Sequence, residues 1–270
     1  MMKVAIDKFP AIDVHAHLGI YDCDINMHRQ FMSGNTESVT DLASMACTRI
    51  TIVSSLRALY PEGKGDAVAG NRKACQAVKN QNNLRFWAVL DPRRPESFIQ
   101  CDRLLKHSKC VGLKIHPEMH EYHIKKYGRA IFTFAEERGA VIQSHSGQER
   151  SLPLDFVPFA DAFPGVKLIL SHLGYGWDKD LAHQVRAIQS GRNDNIFTDT
   201  SSMSSLFPNL IEWAVREVGA GKILYGTDSP LYFAPMMRAR INHAGINDRE
   251  KKMILAINAQ KIFRKKLLQV

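Results

Sequence analysis

Residues 11–19 read AIDVHAHLG and place two histidines within an apolar, strand-like run. Asp13, His15 and His17 occupy every second position, and side chains at such positions lie on one face of a strand. Buried polar groups need partners, and two imidazoles directed at one point commonly share a metal ion or an anion. The alternative is a pair of separately hydrogen-bonded histidines near a strand end. This stretch alone leaves both interpretations open.

The composition is that of an ordinary globular protein, with 45% hydrophobic and 23% charged residues among 270. The N-terminal stretch MMKVAIDKFP has neither the apolar region nor the cleavage site of a secretory signal, and no apolar run approaches the roughly 20 residues that span a bilayer. The five cysteines are scattered and never form a CxxC pair, which fits reduced thiols. We therefore expect a cytoplasmic protein with no membrane partner.

Basic residues outnumber acidic ones, 36 against 27, which gives a formal net charge of +9. Such an excess can indicate nucleic acid, anionic lipid or an acidic small molecule as a partner. Here the basic residues are spread along the chain, and no helix-turn-helix or zinc-finger pattern accompanies them. We predict solvated helix faces, a small-molecule substrate and no nucleic-acid partner, and we leave open assembly as a homo-oligomer.

Short apolar, β-rich runs alternate with helix-prone stretches along the whole chain. The predicted strands are 11–17, 49–55, 84–90, 110–116, 140–145, 166–172, 195–200 and 222–228. The predicted helices include 66–80, 95–107, 121–138, 178–190, 207–219, 234–244 and 248–268. Eight such units close most simply as an α/β (β/α)8 TIM barrel, which we predict as one domain over residues 1–270. An open doubly wound sheet would carry a glycine-rich phosphate loop after its first strand, and none is present.

Polar residues recur at the C-terminal ends of the predicted strands, where barrel enzymes build their active sites. They are Lys114 and His116 on strand four, His145 on strand five, His172 on strand six, Asp199 on strand seven and Asp228 on strand eight. Imidazoles together with a carboxylate suit Zn²⁺, with Mn²⁺, Fe²⁺ or Co²⁺ as alternatives. Such a set with an open coordination position is typical of a catalytic metal site rather than a structural one.

Six motifs in sequence order resemble the amidohydrolase superfamily, and within it the amidohydrolase-2 group of metal-dependent hydrolases and decarboxylases. They are DVHAH, GLKIHP, VIQSHSG, LILSHLG, FTDTSS and ILYGTDSP. The C-terminal stretch ILAINAQKIF also resembles the closing helix of that group. The resemblance spans nearly the whole chain and implies a metal-dependent enzyme built on a TIM barrel.

The resemblance implies that His15, His17 and His145 bind the metal ion, and that Asp228 binds the ion or its water and moves the proton. It implies that His172 polarises a substrate carbonyl or helps deliver the proton. Asp228 and His172 are therefore the predicted catalytic residues. A carboxylate beside a metal-bound water is also a natural general base on physical grounds.

Lys114 has three interpretations. In two-metal members of the group a strand-four lysine is carboxylated and bridges the ions, and in one-metal relatives a cation can grip a substrate carboxylate. The third is an ion pair with a buried acid. We expect one ion, Zn²⁺ in the first instance, with a second ion only if Lys114 is carboxylated. Lys114, His116 and Arg57 are the predicted substrate-binding residues, since cations at the rim can bind a carboxylate.

The motifs predict an enzyme but separate two reactions poorly. Hydrolysis of an amide, lactone or related carbonyl would use a metal-activated water, whereas non-oxidative decarboxylation of an aromatic or unsaturated acid would use the ion to hold the substrate. A glutamate on the loop after strand one would favour decarboxylation, but the run LGIYDCDINMH offers only Asp22 and Asp24. We therefore predict a hydrolase of a small, carboxylate-bearing molecule, with the decarboxylase as the alternative. A non-catalytic barrel would show eroded ligands, and no position is eroded.

Overall fold

Eight parallel strands form the centre of this computed structural model, which describes residues 5–61 and 63–267. The strands are β1 (Ala11–Leu18), β2 (Thr48–Ser55), β3 (Leu84–Val89), β4 (Cys110–Ile115), β5 (Val141–Ser144), β6 (Leu168–Leu170), β7 (Ile196–Asp199) and β8 (Ile223–Leu224). Each pairs with the next in sequence order. The predicted barrel is confirmed, and every predicted strand is present within a few residues of its expected ends, although β8 is much shorter.

The predicted helices are also present, at Ala67–Val78, Pro95–Leu104, Ile124–Glu136, His183–Ser190, Leu210–Val218, Ala234–Asn242 and the terminal segment 248–267. Position 268 of the predicted last helix lies outside the described residues, as do residues 1–4 of the N-terminal stretch. Within the described part of the chain, no helix combines the length and apolarity that a membrane crossing requires.

Several helical segments were not predicted: Asn26–Met32, Thr36–Met45, Leu56–Leu59, Pro153–Ala162, and the 3₁₀ turns Ile6–Lys8, Glu149–Ser151, Met203–Leu206 and Ala220–Lys222. A signal for one of them was available, because Asn35 and Ser38 form a capping box at the start of Thr36–Met45. Pro158 in its interior makes the stretch Pro153–Ala162 a poor helix candidate by local rules, although a proline at the first position is compatible with a helix.

The barrel closes between β1 and the segment that follows β8. After Leu224 the chain leaves regular strand geometry but stays hydrogen-bonded to β1. The His17 N–H donates to the Ser229 carbonyl at 2.7 Å, and the Asp228 N–H donates to the His15 carbonyl at 2.7 Å. Backbone hydrogen bonds therefore hold the two histidines of β1 beside Asp228.

A buried carboxylate reinforces this closure. Asp13 accepts hydrogen bonds from the Thr227 hydroxyl at 2.5 Å, from the Thr227 N–H at 3.1 Å and from the His15 N–H at 3.0 Å. Because Asp13 lies on β1 and Thr227 directly precedes Asp228, this contact ties together the two segments that carry the predicted metal ligands. Asp13 lies two residues before His15, so this structural contact accounts for the first polar residue of the alternating pattern Asp13, His15 and His17.

Apolar side chains fill the opposite end of the barrel. The buried cluster there takes Ile12, Val14, Ile50, Ile52, Trp87, Val111, Val141, Ile169 and Leu224 from seven strands, with Phe197 of β7 partly buried against it. The terminal helical segment adds Ala256, Ala259, Phe263 and Leu267. Most of the strand residues belong to the first halves of their strands, so this end is the base of the barrel and the polar residues occupy the other end.

The terminal segment also supports the closure, through a π-helical stretch at Met253–Ile257. A π turn removes carbonyls from the regular helical pattern, and here the Ile254 carbonyl accepts the Tyr225 N–H at 3.0 Å. Asn258 Nδ2 donates to the Ile223 carbonyl at 2.8 Å. The helix that covers the base therefore also fixes the chain just before Asp228.

Removing the Asp13 carboxylate should destabilise the closed barrel. We expect Asp13→Ala to lower the free energy of unfolding by about 1–3 kcal/mol, because buried donors of Thr227 and His15 lose their acceptor. Urea denaturation followed by circular dichroism measures the change. Asp41→Ala, at an exposed position of the helix Thr36–Met45, is the matched control and should shift stability by less than about 0.5 kcal/mol. Equal effects of the two substitutions would contradict the role given to Asp13.

Candidate active site

A cavity of about 230 Å³ lies at the C-terminal ends of the strands. Its polar lining consists of His15, His17, Lys114, His116, His145, Gln148, His172, Ser202 and Asp228. Its remaining walls are Tyr21, Met32, Leu59, Tyr60, Met119, Tyr175, Leu231 and Tyr232. The predicted site residues thus come together here, with the exception of Arg57, which is exposed and lines a neighbouring cavity.

The carboxylate of Asp228 joins the two histidines of β1. Its Oδ1 lies 2.8 Å from His17 Nε2 and 3.3 Å from His15 Nε2. All three residues are buried, and one ligand atom from each lies within 4.8 Å of the others, a spacing that could hold a metal ion. This geometry favours the shared-ion interpretation of the DVHAH motif over two unrelated histidines.

The second ring nitrogen of each histidine has its own partner. His15 Nδ1 donates to Asp199 Oδ2 at 3.2 Å, and His17 Nδ1 lies 2.8 Å from Ser54 Oγ. Both Nε2 atoms are therefore directed at Asp228. Metal-binding histidines are normally oriented in this way, by a hydrogen bond at the nitrogen that does not face the ion. Two imidazole nitrogens and a carboxylate oxygen are a donor set that fits a divalent cation.

Burial sets the protonation states of this group. It lowers the pKa of His15 to about 3, with a further contribution from the charge of Lys114. Burial also places the pKa of His145 well below its usual value. Burial alone would raise the pKa of Asp228, but the neighbouring His15 and His17 outweigh it and lower that pKa below the usual range. Neutral imidazoles beside an ionised carboxylate are the states in which these groups bind metals.

Asp199, at the end of β7, connects the β1 histidine to the strand-six histidine. Its Oδ1 accepts the backbone N–H of His172 at 3.1 Å, and its Oδ2 accepts Gln143 Nε2 at 3.0 Å. Ser201 Oγ donates to Asp199 and lies 2.9 Å from Nδ1 of both His15 and His172. The sequence placed Asp199 at the rim without a role, and the contact with His15 supplies one: Asp199 fixes the orientation of that ring.

His145 lies on the far side of this network. Its Nδ1 is 3.0 Å from His172 Nε2, and its Nε2 is 2.5 Å from Gln148 Oε1. The ring of His116 stacks on it, with centroids 4.0 Å apart and planes 9° from parallel. Both ring nitrogens of His145 thus contact side chains other than those of the His15, His17 and Asp228 group. His172, together with His15 and Asp199, forms a second group that could hold an ion.

Lys114 is buried beside the predicted ligands. Its Nζ lies 3.0 Å from His15 Nε2 and 3.3 Å from Gln143 Oε1. Burial lowers its pKa to about 8, although the charges of Asp199 and Asp228 oppose the shift. A lowered pKa makes the amine easier to deprotonate, and carboxylation of a lysine requires a deprotonated amine. Near pH 7 the amine is still mostly cationic, which is the form that binds a carboxylate.

Sequence reasoning missed three tyrosines in the cavity wall. Tyr21 and Tyr60 pack with ring centroids 4.5 Å apart, and Tyr232 lines the same cavity. They lie on loops after β1, β2 and β8, where no periodic pattern predicts which side chains face inward. Asp22, the next residue after Tyr21, instead lies 3.6 Å from Arg29 and lines the neighbouring cavity.

The family profile described as amidohydrolase matches residues 12–265. The chain belongs to the amidohydrolase family. This confirms the resemblance carried by the six motifs and supports an enzyme of the amidohydrolase-2 family. Among curated proteins, no sequence matches this chain significantly.

Solved structures with the same fold include three decarboxylases. 2,6-Dihydroxybenzoate decarboxylase from Rhizobium has a TM-score of 0.77 and 14% identity, over 94% of this chain and 98% of that chain. 5-Carboxyvanillate decarboxylase from Sphingomonas paucimobilis has a TM-score of 0.72 and 14% identity, over 95% and 99%. Dihydroxybenzoic acid decarboxylase from Polaromonas sp., with bound manganese and the inhibitor 2-nitroresorcinol, has a TM-score of 0.74 and 15% identity, over 97% and 99%. At these identities the likeness of this chain to them establishes the fold alone.

Replacing His15 and His17 together should abolish stoichiometric metal binding by this protein, because both Nε2 atoms that face Asp228 are removed. Metal content after dialysis, determined by plasma mass spectrometry, measures the loss. The control His28→Ala/His243→Ala removes two exposed imidazoles and should retain the wild-type content. A full equivalent of metal on the His15→Ala/His17→Ala variant would show that the ligands lie elsewhere.

Proposed function

We propose that this protein is a metal-dependent, non-oxidative decarboxylase of a single-ring aromatic acid. The observation that carries the proposal is the cavity, in which Tyr21, Tyr60, Tyr175 and Tyr232 stand around the His–Asp group. Its volume of about 230 Å³ is below the roughly 300–1,000 Å³ of pockets for drug-sized ligands. One aromatic ring with a carboxylate suits such a space, and offset or edge contacts with tyrosine rings favour a flat ligand.

A further point favours decarboxylation over the hydrolysis expected from the sequence. The three decarboxylases named above share the fold over nearly their whole length, and their names describe benzoate-type acids. The loop after β1 remains the argument for hydrolysis, because it contributes Tyr21 rather than Asp22 to the cavity wall. It therefore offers the substrate a ring surface but no second acid.

His15, His17 and Asp228 would hold a single divalent ion, with His145 as the further predicted ligand. The ion would act as a Lewis acid that polarises oxygen atoms of the substrate. Nitrogen and oxygen donors accept both Zn²⁺ and Mn²⁺. We propose one ion of either kind, since the Polaromonas structure holds manganese and the donor set suits zinc equally well.

Decarboxylation breaks the bond between the ring and the carboxyl carbon, releases CO₂ and leaves the bonding electron pair on the ring carbon. One proton must then reach that carbon. Asp228 and His172 both line the cavity and are the groups placed to hold and move it. His172 Nδ1 faces the carbonyl and hydroxyl of Ser201, which leaves its Nε2 on the side of His145. Lys114 would provide the positive charge that orients the departing carboxylate.

The reaction is tested with hydroxybenzoic acids and metal-loaded enzyme. We expect release of CO₂ by the wild type. Asp228→Asn should lower kcat by at least about 10²–10⁴-fold, because an amide cannot take up and return a proton near neutral pH. The variant should keep its fold and much of its metal through the histidines. Asp41→Asn, on an exposed helix face, is the control. Hydrolysis of a lactone or amide without any CO₂ release would make the protein a hydrolase instead.

Lys114→Ala distinguishes one metal ion from two. If Lys114 binds the substrate carboxylate, the variant should keep its full metal content and show mainly a raised KM, since a charge-assisted contact is lost. Metal analysis and steady-state kinetics on the same sample give both values. Loss of half the metal, with recovery on addition of short-chain carboxylic acids, would instead indicate a carboxylated lysine and a two-metal site.

A further inference from the structure

We propose that a second cavity, beside the active site, binds an anionic small molecule. The cavity measures about 1000 Å³ and lies between the loop after β1 and the helix Ala67–Val78. It includes Arg57, which the sequence assigned to carboxylate binding and the structure places outside the active-site cavity. The inference concerns binding alone, so it does not depend on the proposed reaction.

Three cations face this cavity without an acidic partner among residues 5–61 and 63–267. Arg57 lies on the short helix Leu56–Leu59, Lys64 lies in the turn that follows, and Lys73 lies on the helix Ala67–Val78. All three are exposed. Surface cations are usually solvated, but three that line one concave space produce a positive field that attracts anions.

The two acids in the lining are already engaged. Asp22 lies 3.6 Å from the guanidinium of Arg29, the fourth cation of the lining, and Asp66 accepts the Ala69 N–H at 2.9 Å as the cap of its helix. Neither carboxylate therefore neutralises Arg57 or the two lysines. Among the described residues of the lining, the charge of these three cations is left for a ligand to balance.

A largely buried serine provides an independent sign of a ligand. Ser55, at the end of β2, is 3% exposed and lines the cavity. It stands at the cap of the helix Leu56–Leu59 but makes no capping hydrogen bond, and no other partner of its hydroxyl occurs in the described part of the chain. A polar side chain that is largely shielded from solvent normally has a hydrogen-bond partner. An anionic oxygen would accept this proton while the neighbouring Arg57 supplied the charge.

The donor types define the chemical class of the ligand. A guanidinium binds carboxylate and phosphate groups through two parallel hydrogen bonds, and an ammonium adds charge without that directionality. Arg57, with Lys64 and Lys73 nearby, therefore fits a molecule that carries one or more carboxylate or phosphate groups. Because these cations are exposed, salt should weaken the binding.

Tyr60 connects this cavity to the active site, since it lines both. Its ring packs on Tyr21, which also belongs to the active-site wall. An anion in the second cavity would thus contact the same ring that bounds the substrate. The anionic group can come from two sources: a charged extension of the substrate that passes Tyr60, or a separate molecule.

Isothermal titration of the metal-loaded enzyme with succinate and with inorganic phosphate tests the proposal. Relative to the wild type, we expect Arg57→Gln/Lys73→Gln to raise the Kd by about tenfold or more, since two charged contacts are lost. Arg72→Gln/Lys79→Gln removes the same charge from exposed positions of the same region outside the cavity and should leave the Kd unchanged. Ser55→Ala, which alters no charge, should raise the Kd several-fold.

Competition identifies the source of the anion. Probe binding that is independent of an aromatic acid in the active site indicates a separate ligand, and mutual exclusion indicates one extended substrate. The proposal is overturned by equal Kd values for the cavity variant and its control, or by the absence of wild-type binding at about 10 mM probe. Because this experiment measures anion binding, its result stays valid even if the protein is found not to release CO₂ from aromatic acids.

Discussion

The hydrogen bonds between β1 and residues 225–229 are the constraint on which both the fold and the site depend. They close the barrel and bring His17 to Asp228 across 211 positions of the sequence. Asp228 adopts a left-handed conformation, with φ of 57°, and so does His172, with φ of 71°. Such values are uncommon outside glycine, more so for histidine than for aspartate, and they persist where surrounding contacts determine them. Asp13 and Thr227 supply those contacts for Asp228.

Alternation and motif position predicted the barrel well, because the pattern of each strand follows directly from which face is buried. Local rules could not predict that β8 would lose regular geometry after Leu224, since that depends on Ile254 and β1, which are distant in sequence. The DVHAH motif predicted the convergence of His15 and His17 because two residues on one strand share a face. The place of Arg57 could not be predicted in the same way, because the loop after β2 decides which cavity it lines. The contacts of His145 with His172 and Gln148 likewise depend on loop conformation.

The floor and the walls of the active-site cavity have different chemical roles. The floor holds several imidazoles, one carboxylate and one amine, and burial is the main cause that lowers the pKa values of His15 and His145. Tyrosines from four loops form much of the wall. The scaffold thus fixes the groups that act on a reacting centre, while the loops determine what shape of molecule reaches them, as is general for barrel enzymes. Tyr60 contributes to both cavities, since its ring also bounds the positively charged cavity next to the active site.

The π-helical stretch at Met253–Ile257 has a consequence for the order of events during synthesis. β1 leaves the ribosome before the other seven strands, yet its free edge pairs with residues beyond 224, and these are held in turn by the Ile254 carbonyl. Until residue 254 has emerged, the nascent protein therefore carries an unpaired strand edge, a known template for unwanted association. Contacts so distant in sequence also make closure a slow step. During translation, the free edge of β1 therefore stays unpaired until a helical segment that follows all eight strands has been made.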